Sequence, residues 1–141
     1  MDPVGQELRM DLSQQDYELI ERAKQIADDL HVDDLHEVAA ALRTSSGDIF
    51  GGIHIEARVG FADVCGEVAA LCNMVSAGQR ELDTIVAVYG DGRGNHWLLA
   101  PCGRCRELIS DFNRDAMVIV GSLEKPQKVS ISELLPMKDY S

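Results

Sequence analysis

The chain has 141 residues, 45% of them hydrophobic, and 24 acidic against 13 basic side chains, for a formal charge of −11. This length and apolar content suit one domain with its own core. The acidic balance opposes nucleic-acid binding, because phosphate contacts need clustered Lys and Arg, so nucleic acid is not an expected partner.

Residues 1–12 read as a flexible leader with no apolar run, so no secretory signal is expected there. Residues 13–141 read as a single domain, and no stretch approaches a membrane span. Ser13 followed by Asp16 makes a capping-box start, and Tyr17, Ile20, Ala23, Ala27 and Leu30 recur at helical spacing, which predicts a helix over 14–30. Residues 37–44 read as a strand, Ser45-Ser46-Gly47-Asp48 as a turn, and 49–55 as the hairpin partner. A loop follows over 60–63, with Asp63 placed to cap the next helix. On that helix Val64, Val68, Leu71, Cys72 and Val75 form an apolar stripe ended by Gly78, which makes Cys72 a buried free cysteine.

Residues 84–89 are almost continuously apolar and β-branched, as a central strand buried on both faces should be. Asp91-Gly92-Arg93-Gly94-Asn95 turns the chain and 96–100 returns as a strand, where His96 and Trp97 read as packing residues. Pro101 closes it. A helix from Gly103 carries Cys105, Leu108, Ile109 and Phe112 on one face. A buried strand over 116–121, a short edge strand at Lys128 and Val129, and a helical turn over 132–135 complete the chain. His31 reads as a surface residue. This order predicts an α/β domain, a mixed sheet with helices on both faces.

Two segments carry the chemistry, Cys65-Gly66-Glu67 and Pro101-Cys102-Gly103-Arg104-Cys105. Cys102 and Cys105 alone are a C-x-x-C, which serves equally a redox pair or half of a structural zinc site. With Cys65 they offer three thiolates, which hold zinc at about 2.3 Å each and leave one tetrahedral position open. Glu67, two residues past a ligand, is placed to carry protons. A closed structural site would need a fourth protein ligand, for which Cys72 is the candidate; a redox role leaves Cys65 and Glu67 without a task. Both segments sit at helix starts, where partial positive charge favours thiolate. Four cysteines in this spacing suit a reducing, cytoplasmic setting and metal rather than disulfides.

The paired segments resemble the zinc deaminase pattern, and more closely the cytidine deaminase family. Cys65-Gly66-Glu67-Val68-Ala69-Ala70-Leu71 is similar to that family's C-A-E block. Ala100-Pro101-Cys102-Gly103-Arg104-Cys105-Arg106-Glu107-Leu108 is similar to its P-C-x-x-C-R block. The resemblance runs from about Ser13 to Pro136. It implies a three-layer α/β fold with a mixed five-stranded sheet between helices, and usually a homotetramer. It also implies one zinc ion per subunit on Cys65, Cys102 and Cys105, with Glu67 as proton shuttle. The implied reaction converts a cytosine nucleoside to the uracil nucleoside with release of ammonia.

Some positions depart from the family pattern. His54-Ile55-Glu56 stands where the family reads N-x-E, so Glu56 would accept a sugar hydroxyl and His54 replaces the Asn beside it. His36 stands where many relatives carry an aromatic ring against the base, and its imidazole would stack there. Val68 occupies the place of an Arg that offsets thiolate charge in common tetrameric enzymes. Arg104, inside P-C-G-R-C as in the blasticidin S deaminases, would supply that electrostatic support. Tyr140 would either reach a neighbouring subunit's pocket or belong to a disordered tail. The other reading of these departures is a non-catalytic zinc domain that keeps the fold.

Overall fold

Ser13 stops the chain ahead of its first helix by exchanging two hydrogen bonds with Asp16. The Asp16 N–H donates to Ser13 Oγ at 3.2 Å, and the Ser13 N–H donates to Asp16 Oδ2 at 2.9 Å. The helix that follows, α1 (Gln14–Leu30), has the predicted bounds and buries Asp16, Leu19, Ile20, Ala23 and Ala27. Tyr17 and Leu30, expected in its apolar stripe, are instead about half exposed. The computed structural model describes residues 9–141, so most of the leader lies outside the described residues.

Among the described residues, seven strands build one mixed sheet: β1 (Arg9–Met10), β2 (Val38–Thr44), β3 (Ile49–Ile53), β4 (Leu82–Gly90), β5 (His96–Leu99), β6 (Met117–Gly121) and β7 (Pro126–Ser130). Their order is β1-β7-β6-β4-β2-β3, with β5 also on β4. The first half of β4 pairs parallel with β6, from Thr84↔Met117 to Val86↔Ile119. Its second half pairs antiparallel with β5, from Ala87↔Leu99 to Gly90↔His96.

The expected five strands correspond to β2–β6. The short edge strand expected at Lys128 and Val129 is present and longer, as β7, antiparallel to β6 over five residues, and β1 adds a further strand on β7. Pro126 and Lys128 are poor strand formers, so it is the exposed edge of β6, not local preference, that recruits this segment.

Side-chain alternation sends the two faces of each central strand to different cores. Ala41, Val86 and Val88 pack with Leu19, Ile20 and Ala23 of α1. Ala40, Leu42, Ile85 and Ala87 face α2 (Gly66–Ser76), α3 (Gly103–Phe112) and the short α4 (Ile131–Leu134). The three-layer expectation is met. Asp16, fully buried in the first turn of α1, accepts from Arg43 Nη2 at 2.9 Å and from Lys128 Nζ at 3.0 Å, which joins α1 to β2 and β7.

Helix α2 corrects the phase read from sequence. Its buried residues are Gly66, Glu67, Ala70, Leu71 and Met74. Cys72 is exposed and Val75 largely so. An inward carboxylate at Glu67 rotates the true stripe away from the one that apolar residues alone suggest. The helix can lie this close because its first residue has no side chain: a Cβ on Gly66 would come within 2.9 Å of the Val38 carbonyl oxygen. Asp63 does not cap α2. Cys65 holds the N-cap position, and Asp63 Oδ1 instead accepts from the Ala57 N–H at 2.6 Å. No helix among the described residues is long and apolar enough to cross a membrane.

Candidate metal and catalytic centre

Cys65 and Cys102 are the N-cap residues of α2 and α3, both with extended backbone and neither capping with its side chain. Freed from capping, their sulfurs turn towards each other and stand 3.6 Å apart. Cys105, one helical turn after Cys102, places its sulfur 3.6 Å from that of Cys102. All three sulfurs lie within 4.8 Å of one another. A tetrahedral metal with sulfur bonds of about 2.3 Å separates its ligand sulfurs by about 3.8 Å, so the thiol set fits zinc as it stands.

The electrostatics of the three thiols point the same way. Burial pushes Cys105 up strongly, helped by the charge of Glu67, and burial also raises Cys65. Burial opposes ionisation of Cys102 too, but hydrogen bonds from the Cys105 N–H and from its neighbours hold that thiol below its ordinary value. Three thiolates in one place repel one another, and a cation removes the conflict.

Glu67, in the first turn of α2, is only 6% exposed. Burial raises its carboxyl above the usual carboxylate range, partly opposed by hydrogen bonds from its own N–H and from Cys105. It shares a cavity of about 170 Å³ with Val38, His54, Cys65, Gly66, Ala87, Leu99, Ala100 and Cys102. The walls are small and apolar apart from His54, Glu67 and the thiols, which suits a flat ring with one polar reacting edge.

The remaining candidates divide. His54 lines this cavity. Glu56 and His36 do not line it, but both are bonded to His54: Glu56 Oε2 lies 3.0 Å from its Nε2, and His36 Nδ1 lies 2.9 Å from its carbonyl oxygen. Strand β3 ends before this segment, and Ile55 instead bridges Val64, which brings 54–56 alongside Cys65. Arg104 donates from Nη1 to the Asp63 carbonyl at 2.7 Å and, at a longer 3.5 Å, from Nη2 to that of Phe61. Its guanidinium therefore braces the 3₁₀ turn Gly60–Ala62, whose Phe61 is 83% exposed.

Sequence reasoning missed the brace next to the site. Arg106 donates from Nε to the Pro101 carbonyl and from Nη1 to the Leu134 carbonyl, fixing the approach to Cys102 against α4. Its place after the second C of P-C-x-x-C was the only available signal. His31, read as surface, has a largely buried ring with Nε2 2.6 Å from Asp33 Oδ1. Together with Glu37 these form a second close group of potential metal ligands, without thiols. The Tyr140 ring carries two cations of its own chain, Arg114 at 4.0 Å and Lys138 at 5.0 Å.

The family model for the cytidine and deoxycytidylate deaminase zinc-binding region matches residues 13–121. The chain belongs to this deaminase family. A blasticidin-S deaminase of Bacillus cereus is 44% identical over 131 residues, 90% of this chain and 94% of that protein. A cytidine deaminase of Sporosarcina psychrophila is 32% identical over 104 residues, 70% of this chain and 71% of that protein. Among solved structures, the cytidine deaminase of Burkholderia pseudomallei superposes with a TM-score of 0.74 at 27% identity, covering 91% of this chain and all of that one. The deaminase is accordingly a hydrolase of C–N bonds with zinc as its metal, and its three-cysteine group is able to bind that ion.

Proposed function

We propose that the protein deaminates cytosine nucleosides hydrolytically, with Cys65, Cys102 and Cys105 as zinc ligands and Glu67 as the proton carrier. The observation that carries this reading is one small cavity holding the buried Glu67 carboxylate beside Cys65 and Cys102 of the three-thiol group. When bound there, zinc supplies the Lewis acidity that brings ionisation of water towards neutral pH.

Glu67 does the rest of the proton work. Its carboxylate takes a proton from the attacking water and passes it to the ring nitrogen next to the amine-bearing carbon. That carbon gains a bond to the water oxygen. The second proton of the same water reaches the exocyclic nitrogen through Glu67, the carbon–nitrogen bond breaks, and ammonia leaves as the carbonyl forms. One water is consumed and one ammonia released, with no redox change. Val38, Ala87, Leu99 and Ala100 give the ring an apolar slot.

Within this class, the 44% identity to a blasticidin-S deaminase over nearly its whole length favours a second reading, a modified cytosine nucleoside of that type. The P-C-G-R-C segment supports it. Ammonia release from the zinc-loaded protein, with cytidine, deoxycytidine, cytosine and blasticidin S compared by kcat/KM, tests both. Turnover of a nucleoside above the free base supports the class, and the ranking of cytidine against blasticidin S decides between the two readings. Failure with all four would overturn the substrate class. A homotetramer and a reducing, cytoplasmic setting for four free cysteines belong to the same proposal.

A further inference from the structure

We infer that His54 is a positioning residue for Glu56 and not itself a ligand of the substrate. This deepens the cytosine-nucleoside reading above. Both ring nitrogens of His54 are committed to protein atoms. The Glu37 N–H donates to Nδ1 at 3.0 Å, and the Val38 N–H points at the same atom at 3.4 Å. An atom that receives N–H donors presents a lone pair, so Nε2 carries the proton. That proton is donated to Glu56 Oε2 at 3.0 Å.

The backbone holds this arrangement in place. The His54 N–H donates to the Val38 carbonyl at 2.8 Å and the Glu56 N–H to the Leu35 carbonyl at 3.0 Å. The His54 carbonyl accepts from His36 Nδ1 at 2.9 Å. The imidazole is thus a strut, with one nitrogen on the strand backbone and the other on the carboxylate. An asparagine here would end near the position of Nδ1 and fall short of Glu56. The exchange of Asn for His turns a group that could face the ligand into one that aims its neighbour.

Of His54 and Glu56, it is Glu56 that retains capacity for a ligand. Its side chain is about half exposed beside the cavity wall, Oε2 is held by His54, and Oε1 has no hydrogen bond among the described residues. A carboxylate oxygen so presented selects a hydroxyl or ammonium donor on the part of the substrate outside the ring slot. Specificity for that part therefore rests on Glu56, with His54 setting its direction.

Two measurements on the zinc-loaded full chain test this. Long-range proton–nitrogen NMR reports the tautomer: His54 should be protonated at Nε2 and bare at Nδ1, and Glu56→Gln should move the Nε2 resonance. A proton on Nδ1, or a resonance indifferent to Glu56→Gln, overturns the proposal. In kinetics, His54→Asn should lower kcat/KM for the nucleoside that the wild type turns over by about tenfold, mainly through KM. Glu56→Ala should cost about as much or more, and the double variant should match Glu56→Ala within about twofold, since the strut has nothing left to hold. Losses that multiply, or an unaffected His54→Asn, overturn it. The NMR experiment needs neither substrate nor a folded variant of His54. Failure of the deamination reading and failure of this one are therefore separate results.

Discussion

The sulfurs of Cys65 and Cys102 lie 3.6 Å apart although 37 residues separate them in the chain. Each is the residue before a helix on the same side of the sheet, so the pairing follows from the meeting of the N-termini of α2 and α3. Cys102→Ser should therefore abolish stoichiometric zinc, weakening the metal by more than about 100-fold, since even outer partners of a ligand cost 10–100-fold. Cys72→Ser should leave zinc content unchanged. Metal analysis after gel filtration checks both, and thiol labelling of the zinc-loaded protein should modify Cys72 alone.

Glu67→Gln preserves size and the inward packing of α2 while removing the group that exchanges protons. Zinc content and thermal stability should be retained, and kcat should fall by about 10²–10⁴-fold, the usual contribution of general acid–base catalysis. Steady-state kinetics beside metal analysis decides. Full activity in this variant would remove Glu67 from the mechanism.

Arg104 distinguishes two roles. Support of the thiolates by its charge predicts that Arg104→Ala weakens zinc. The hydrogen bonds to Asp63 and Phe61 predict instead a loosened turn and unchanged metal. We expect the second outcome: amide exchange at 60–63 should accelerate about fivefold, the equivalent of about 1 kcal/mol for a partly exposed charged hydrogen bond. Hydrogen-exchange mass spectrometry with zinc titration reads both quantities from one preparation.

Asp16 ties α1 to β2 and β7 from a fully buried position. Burial pushes its carboxyl up, but the Ser13 N–H, Arg43 and Lys128 more than offset this and hold it below the ordinary value. In acid the unfolded chain therefore takes up this proton before the folded one does. The Asp16 contribution is present above the unfolded carboxylate range and lost as pH falls through the lowered folded value. Asp16→Asn should destabilise the protein by about 3 kcal/mol at neutral pH, because Arg43 and Lys128 are left without their shared charge. It should also flatten the decline of Tm that the wild type shows below about pH 5. Parallel melts from neutral to acid pH, at equal zinc loading, would show no such difference if the network were unimportant.

Those features that depend on near neighbours in the chain were legible in the sequence. The capping exchange of Ser13 and Asp16 predicted the start of α1 to the residue, because both partners sit within one turn. The spacing of Cys102 and Cys105 puts two thiols on one helical turn wherever that helix lies. The apolar run of β4 predicted a strand covered on both faces. What tertiary structure decided are the matters that depend on contacts between distant segments. Cys72 faces outward because an inward Glu67 sets the phase of α2. β7 runs over five residues, beyond the two expected at Lys128 and Val129, because β6 offers an edge for it to pair with. Arg104 braces a turn 41 residues away, and His54 spends its two nitrogens on Glu37 and Glu56. A side chain's residue type states what it can bond. Which of several partners it meets depends on the close approach of backbones that spacing along the chain does not encode.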